Sequence, residues 1–355
     1  MQMLEGSRQA TDYLRARVYL LSSRAQERER GLLAASLQSL RPRSRSQNVA
    51  APCIPSSLKC EIERLPPTCL LASSEDFAVY VANAAQIPEC LIEIGRCREI
   101  AFRAAGEGTG KALDIDRFDE HYHHLFLWCK REERIAGAYR LVGTPDVLPT
   151  RGVGGLYTST LFDYDWALFE RLGPAFELGR SFILPDYQKH YGPLLMLWRG
   201  IAAAVARRPE CAVLFGAVSV SADYHALSRT LLVDFATAHM RSDLAEFVRP
   251  RRGFRKPIAT PKHVKRLSSL LVTLDELSAC ISDLERDGKA MPVLIRQYAK
   301  VGGRFLGFSV DRNFSNTLDG LIMADLRKAP PEVLLRWMGR TGASAFQAHH
   351  ATPQS

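Results

Sequence analysis

The chain has 355 residues, 46% of them hydrophobic, 24% charged, and a formal net charge of +9. That length supports one large or two modest cores, and the best candidate for a membrane span, Gly192 to Val205, is interrupted by Arg199 and falls short of the roughly 18–20 apolar residues a span needs. The positive charge is local: residues 1–60 hold ten Lys/Arg against four Asp/Glu, residues 249–266 hold eight against none, and the remainder carries −5, which excludes a broad basic face tracking a nucleic-acid backbone.

The N-terminus carries Glu5, Arg8 and Arg15 with no apolar core between them, which is not a secretory layout, so a cytoplasmic protein is expected. Tyr13 to Leu33 reads as an Arg-rich amphipathic helix and Leu40 to Leu58 as a Ser/Pro/Arg linker, giving an N-terminal region over 1–69. Phe77, Val79 and Val81 then alternate as a strand, and Ile87 to Arg103 runs at helical period. His124–Trp128 and Arg134–Val142 form a hairpin around the charged turn Lys130–Glu133, and a strand over Ala175–Leu184 is ended by Pro185. Gly192–Arg208 is a helix, and the apolar run Ala212–Val220 is a central strand. A helix over Tyr224–His239 is capped by Ser221 and Asp223.

Beyond the basic cluster, Thr273 and Glu276 match a capping box that opens a helix stopped by Gly288. Pro292 starts another, ended by Gly302-Gly303, and strands over Arg304–Val310 and Leu318–Leu326 close the domain as a hairpin. The order predicts an α/β fold, a mixed central sheet with helices on both faces, over residues 70–340, followed by a disordered tail over 341–355. The eight cysteines are scattered singly, without metal-ligand or disulfide-framework spacing.

Four groupings offer chemistry. Asp114, Asp116 and Asp119 have the spacing to bind a cation or an ammonium, or to form a solvated acidic loop. His121, His123 and His124 follow, but adjacent His123 and His124 point to opposite sides of a strand, so no metal site is expected. Glu177 and Arg180 lie in a strand on opposite faces unless a bulge at Gly179 re-aims one of them; Glu177, costly in an apolar sheet, is either a base or half of a structural ion pair with Arg140 or Arg98. Ser219, Ser221, Asp223 and Tyr224 occupy a strand-to-helix junction, where ligands bind in open α/β sheets. The clustered cations Arg249, Arg251, Arg252, Arg255 and Lys256, continued by Lys262, Lys265 and Arg266, form either a solvated loop or a landing patch for an acidic partner or an anionic membrane.

Arg98-xxx-Phe102, Asp116-xx-Asp119, Arg140-Leu141 and Glu177-xx-Arg180-xx-Ile183 occur in the order and spacing that resemble the shared core of two groups of GNAT-like enzymes, the acyl-homoserine-lactone synthases and the ornithine-lipid N-acyltransferases. The strings beginning at Arg98, Ser159, Glu177 and Pro292 are similar to the second group, also called hemolysin-like acyltransferases, and the resemblance spans about residues 70–340. It implies a fatty acyl group carried as a phosphopantetheine thioester, on acyl carrier protein or coenzyme A, with no permanently bound cofactor, and an acceptor amine such as ornithine's. In that picture Glu177 is the base or positions the amine. Arg140 and Arg180 hold the acceptor carboxylate or tie down the acidic residues, and Asp116 and Asp119, with Arg98 and Phe102 beside them, contact acceptor or carrier. The stretch Tyr187–Gly192 has one glycine where coenzyme-A-using GNATs place a glycine-rich pyrophosphate loop, which favours a carrier-protein donor.

The expected mechanism is direct transfer. Phe182, Ile183, Leu184, Tyr191, Gly192 and Ser219 form the donor side, backbone amides of Phe182–Leu184 polarise the thioester carbonyl, and Tyr224 protonates the departing sulfur. Two alternatives stand beside it: a short-chain N-acetyltransferase using acetyl-coenzyme A, and a non-catalytic GNAT-like module that binds carrier protein or a membrane surface.

Overall fold

The computed structural model describes Thr11, Val18, residues 46–256 and residues 270–351. Apart from Val18, the helix expected over Tyr13 to Leu33 lies outside these residues, as do Lys262, Lys265 and Arg266. The segment read as a linker contains the start of a helix, α1 (Pro55–Glu63), in which Leu58 and Ile62 are buried. An i, i+4 pair suffices to dock one short helix. Its Glu61 also accepts hydrogen bonds from Glu89 N (3.1 Å) and Cys90 N (2.7 Å), satisfying the first turn of the next helix, whose own N-cap, Ile87, supplies no side-chain bond.

Strands β1 (Leu70–Ser73) and β2 (Phe77–Asn83) lead into α2 (Pro88–Ala104), which buries Cys90, Ile94, Cys97 and Ala101 along one stripe. The hairpin β3 (His123–Cys129) and β4 (Arg134–Gly143) follows, then α3 (Thr144–Arg151), a short β5 (Phe162–Tyr164), α4 (Ala167–Leu172) and β6 (Ala175–Ile183). After β6 come α5 (Gly192–Arg207), β7 (Val213–Val220) and α6 (Ala226–His239). The chain continues through β8 (Val248–Pro250), α7 (Leu274–Leu284), α8 (Val293–Lys300), the hairpin β9 (Arg304–Asp311) and β10 (Thr317–Asp325), and α9 (Pro331–Ala351).

Eight strands form one sheet in the order β1-β2-β3-β4-β6-β7-β10-β9, while β5 and β8 pair separately. Side chains of β7 alternate between two cores. Leu214 and Val218 pack with α2, α5 and α6, whereas Val213 and Phe215 pack with Phe162, Leu168 and Phe169 on the other side. This is the mixed α/β architecture expected, with helices on both faces.

Three local expectations need correction. The helix after β7 begins at Ala226, and its cap is His225, whose ring accepts from Leu227 N at 3.1 Å; Ser221 instead bonds Asp223 N in the preceding turn. The capping box at Thr273 and Glu276 is present, but that helix ends at Leu284, before Gly288. The stretch 341–351, expected to be disordered, is helical: Gly339, at φ +71°, breaks α9 into two helices, and these residues belong to the second. There Ala343 and Phe346 are buried, and in the first Trp337 stacks on Trp198 of α5 with ring centroids 4.5 Å apart.

All neighbouring strands in the large sheet are antiparallel except β6 and β7, which pair in parallel over Ala175–Glu177 and Val213–Phe215 and then separate. A bulge on β6 and a close approach on β7 mark the point where the pairing ends. Opposite Ala138–Arg140 of β4, β6 carries an extra residue, a bulge in which Arg180 adopts φ +49°. On β7, Gly216 lies so close to the Leu178 carbonyl oxygen that a Cβ would overlap it. Gly216→Ala is expected to lower stability by about 1–3 kcal/mol, the usual cost of overpacking, read as a lower midpoint in urea unfolding.

Candidate active site

The parting strands open a cavity of about 590 Å³. Apolar side chains Phe182 and Ile183 of β6, Leu194 and Leu197 of α5, and Val293 and Leu294 of α8 line it, with Phe102 of α2 and Phe314 after β9. Its polar lining comes from Arg180, Tyr157, Ser219, Glu107 and Asp319. At its rim the exposed Tyr191 ring has Lys300 Nζ 5.9 Å and the Arg336 guanidinium 5.7 Å from its centroid, and Lys189 and His190 are exposed beside it.

Beneath this cavity three arginines and three aspartates form a closed network. Arg98 bonds both oxygens of Asp119 (3.1 and 2.9 Å) and the Asp114 carbonyl. Arg140 holds Asp116 through two bonds (2.7 and 3.1 Å) and lies 3.2 Å from Asp119. Arg180 completes it at 3.7 Å from Asp114 and 3.5 Å from Asp116. Despite the cost of burial, the arginines hold the Asp116 and Asp119 carboxyls below the usual carboxylate range. The charges balance internally, so the three carboxylates are ligands of the arginines, not of a cation. Of the two roles open to Arg140, tying down acids is the one observed, and Arg98, Asp116, Asp119 and Arg140 are absent from the cavity wall.

Glu177 departs further from expectation. It is 1% exposed, and its carboxylate accepts hydrogen bonds from the Tyr122 hydroxyl, Tyr157 N (3.0 Å) and Thr158 N (2.7 Å). Burial raises its pKa while these donors and Arg140 oppose the rise. The bulge brings Arg180 to the face that Glu177 occupies, so that both meet the Tyr157 segment; Arg180 lines the cavity, whereas Glu177 clamps the 157–158 turn and does not line it. A base must reach the proton it removes, and this carboxylate reaches none in the cavity.

Tyr224 is likewise committed elsewhere: its hydroxyl donates to Ala290 O at 2.7 Å, and it does not line the cavity. The Leu184 amide is bonded to Ala136 O at 2.9 Å and so is not free to polarise a thioester carbonyl. Leu184 and Gly192 lie off the cavity wall, whereas Phe102, Arg180, Phe182, Ile183, Tyr191 and Ser219 are brought together on it. His121 and His124 each bond a backbone carbonyl at 2.9 Å, those of Gly155 and Asp119. In the basic cluster Arg249, Arg251, Arg252, Arg255 and Lys256 are all exposed; Arg251 pairs with Asp163 at 2.8 Å and Lys256 with Asp234.

Glu107 and Asp319 are cavity residues that sequence reasoning passed over. Glu107 follows Gly106, whose φ of +75° turns the chain out of α2, and accepts from Ser219 Oγ at 2.7 Å. Asp319 sits opposite Ser219 in the β10–β7 register and is bonded by Thr317 Oγ1 at 3.2 Å. They are 7% and 5% exposed. Each carboxyl is pushed up to about 7, chiefly by burial, helped by repulsion from Asp223 at Glu107 and from Asp311 and Glu107 at Asp319, while Arg180 lowers both. The signal available in sequence was a carboxylate inside the apolar run Leu318–Leu326, the same signal that singled out Glu177.

A carboxyl whose pKa is raised by folding favours the folded state below its unfolded pKa, and that contribution is lost as pH rises through about 7. The stability that Glu107→Gln gains over the native chain should therefore grow between pH 5 and pH 8, by on the order of 2 kcal/mol, measured as the difference in urea midpoints at each pH.

Residues 97–199 match the profile of the Acetyltransferase (GNAT) domain. The chain is 31% identical over 263 residues to the glycine N(alpha)-acyltransferase of Bacteroides thetaiotaomicron, covering 69% of this chain and 77% of that protein. It is 30% identical to the glycine N(alpha)-acyltransferase of Phocaeicola vulgatus, over 69% and 79% of the two chains. It is 28% identical to the L-ornithine N(alpha)-acyltransferase of Agrobacterium fabrum, over 63% and 71%.

Proposed function

Because the chain belongs to the GNAT N-acyltransferases, the family of the glycine and L-ornithine N(alpha)-acyltransferases, we propose that it moves a fatty acyl group from a phosphopantetheine thioester to the α-amine of an amino acid, forming the amide of an aminolipid. The cavity between β6 and β7 carries this reading. Its walls from Leu194, Leu197, Val293 and Leu294 are apolar, its polar groups cluster about Arg180, and the two regions meet in one space. A long acyl chain gains from such walls in proportion to the area it buries; an acetyl group would leave most of them unused, which disfavours the short-chain alternative.

On the acceptor side, Arg180 is the buried cation on the cavity wall, and its long contacts to Asp114 and Asp116 leave room for a further carboxylate partner. Glycine and ornithine, the acceptors named for the relatives, share an α-amino acid head that fits this pairing. On the donor side, exposed Lys189, Lys300 and Arg336 around the mouth favour an anionic carrier, and acyl carrier protein is the preferred donor, with acyl-coenzyme A as the second. The 249–256 cations are proposed to hold the protein peripherally at an anionic membrane, where its product would reside. Among the described residues no helix is long and apolar enough to cross a membrane.

The test is a reconstituted reaction with purified protein, a panel of amino acids and acyl donors of two to eighteen carbons on carrier protein or coenzyme A, with products identified by mass spectrometry. The expected result is an amide formed from long-chain donors at a rate at least roughly tenfold above that from acetyl donors, as burial of several methylenes at about 0.8 kcal/mol each requires. Equal use of acetyl and long-chain donors would overturn the assignment.

A further inference from the structure

We propose that Glu107, held by Ser219 and lining the cavity together with Asp319, is the base that takes the proton from the acceptor ammonium, and that Glu177 has no part in proton transfer. The inference deepens the N-acyltransfer reading and rests on it.

Three observations support it. First, Glu107 and Asp319 are the carboxylates on the cavity wall, on the same wall as Arg180 and Tyr157, whereas Glu177 is enclosed by Tyr122 and the 157–158 amides. Second, the pair is built from separate elements that converge: Glu107 from the turn after α2, Ser219 from β7 and Asp319 from β10, with Ser219 donating to Glu107 and standing opposite Asp319. A lone serine bond leaves most of the acceptor capacity of the Glu107 carboxylate unused. Third, Arg180 lies near enough to both to influence their ionisation, so an amino acid whose carboxylate pairs with Arg180 would carry its α-amine toward them.

The groups that face Glu107 are Arg180 of β6, Ser219 of β7, Asp223 and Tyr224 in the following turn, and Asp319 of β10; Asp311 of β9 and Tyr157 face Asp319. One cation among several acids leaves a site that holds a proton readily near neutrality. That suits a base working on an amine that is mostly protonated at pH 7.

In the step, Glu107 accepts one proton from the ammonium and later gives it to solvent. The neutral amine's lone pair forms the N–C bond at the thioester carbonyl, the C–S bond breaks, and the second N–H proton ends on the departing sulfur. Ammonium and thioester thus become amide, free thiol and one released proton, with no oxidant or reductant needed.

The experiment measures kcat/KM against pH from 5.5 to 9 for the native enzyme, Glu107→Gln, Glu107→Asp and Glu177→Gln, using a long-chain acyl donor and whichever acceptor gives product. Melting curves confirm folding of each. The expected outcome is a loss of 10²–10⁴-fold in Glu107→Gln, disappearance of the limb that titrates near pH 7, partial recovery in Glu107→Asp, and retention of that limb in Glu177→Gln. A folded Glu107→Gln that keeps the native rate and limb, or a Glu177→Gln that loses the limb while folded, overturns the inference. If Glu107→Gln does not fold, Asp319→Asn replaces it, and an unshifted limb in that variant has the same force. Absence of amide from the native enzyme would instead remove the acyltransfer reading itself.

Discussion

The separation of two parallel strands after a brief contact is the constraint on which the rest of this structure depends. A parallel pair that stayed in register would close the middle of the sheet, and no cavity would exist between its faces. Here β6 and β7 are joined only through Ala175–Glu177 and Val213–Phe215. The extra residue at Arg180 then bends β6 while keeping it bonded to β4. The left-handed conformation of a non-glycine residue costs free energy, and the network of Asp114, Asp116 and Tyr157 around the guanidinium holds it in place. Strand geometry, ion pairing and cavity are therefore one arrangement: removing the charge network would release the bend that makes the opening.

The same arrangement divides the labour among charged groups. Arg98, Arg140, Asp114 and Asp119 are almost wholly buried and neutralise one another. Such a cluster is a poor source of stability compared with apolar packing, but it presents a rigid platform against which Arg180 is aimed. Glu177 does a related task with its carboxylate, fixing the turn that carries Tyr157 to the cavity. The strongly patterned Glu177-xx-Arg180 string thus combines an anchoring residue with a cavity-facing one, and the bulge between them lets both meet the Tyr157 segment.

Much of the fold was legible in the sequence because its elements obey local rules. The alternation of Phe77, Val79 and Val81, the apolar run after Ala212 and the Thr273–Glu276 box each express a pattern within a few residues, and each corresponds to an element. The C-terminal helical stretch was not legible, because Gly339 breaks the chain ahead of it and Gly342 with the paired His349 and His350 leave a sparse apolar pattern, carried by Ala343 and Phe346. In the site, Arg180, Phe182 and Ser219 were legible as candidates on two separate strands, and all three line the cavity. Glu107 and Asp319 were not, since they lie far apart in the chain and meet only through the register of β10 with β7. Their relation is a product of tertiary structure, and no spacing rule encodes it.

The cavity draws its walls from segments inside and outside the stretch that matches the GNAT profile. The portion matching the GNAT profile ends at residue 199, yet Ser219, Val293, Leu294, Phe314 and Asp319 come from later parts of the chain. The helix α8, which contributes Val293 and Leu294, makes no strand pairing of its own and sits outside the sheet. Exchanges there would reshape the oily end of the chamber without disturbing the bent strand or the ionic platform. Relatives with a common chassis can in this way diverge in the tails they accept while keeping the head-group chemistry intact.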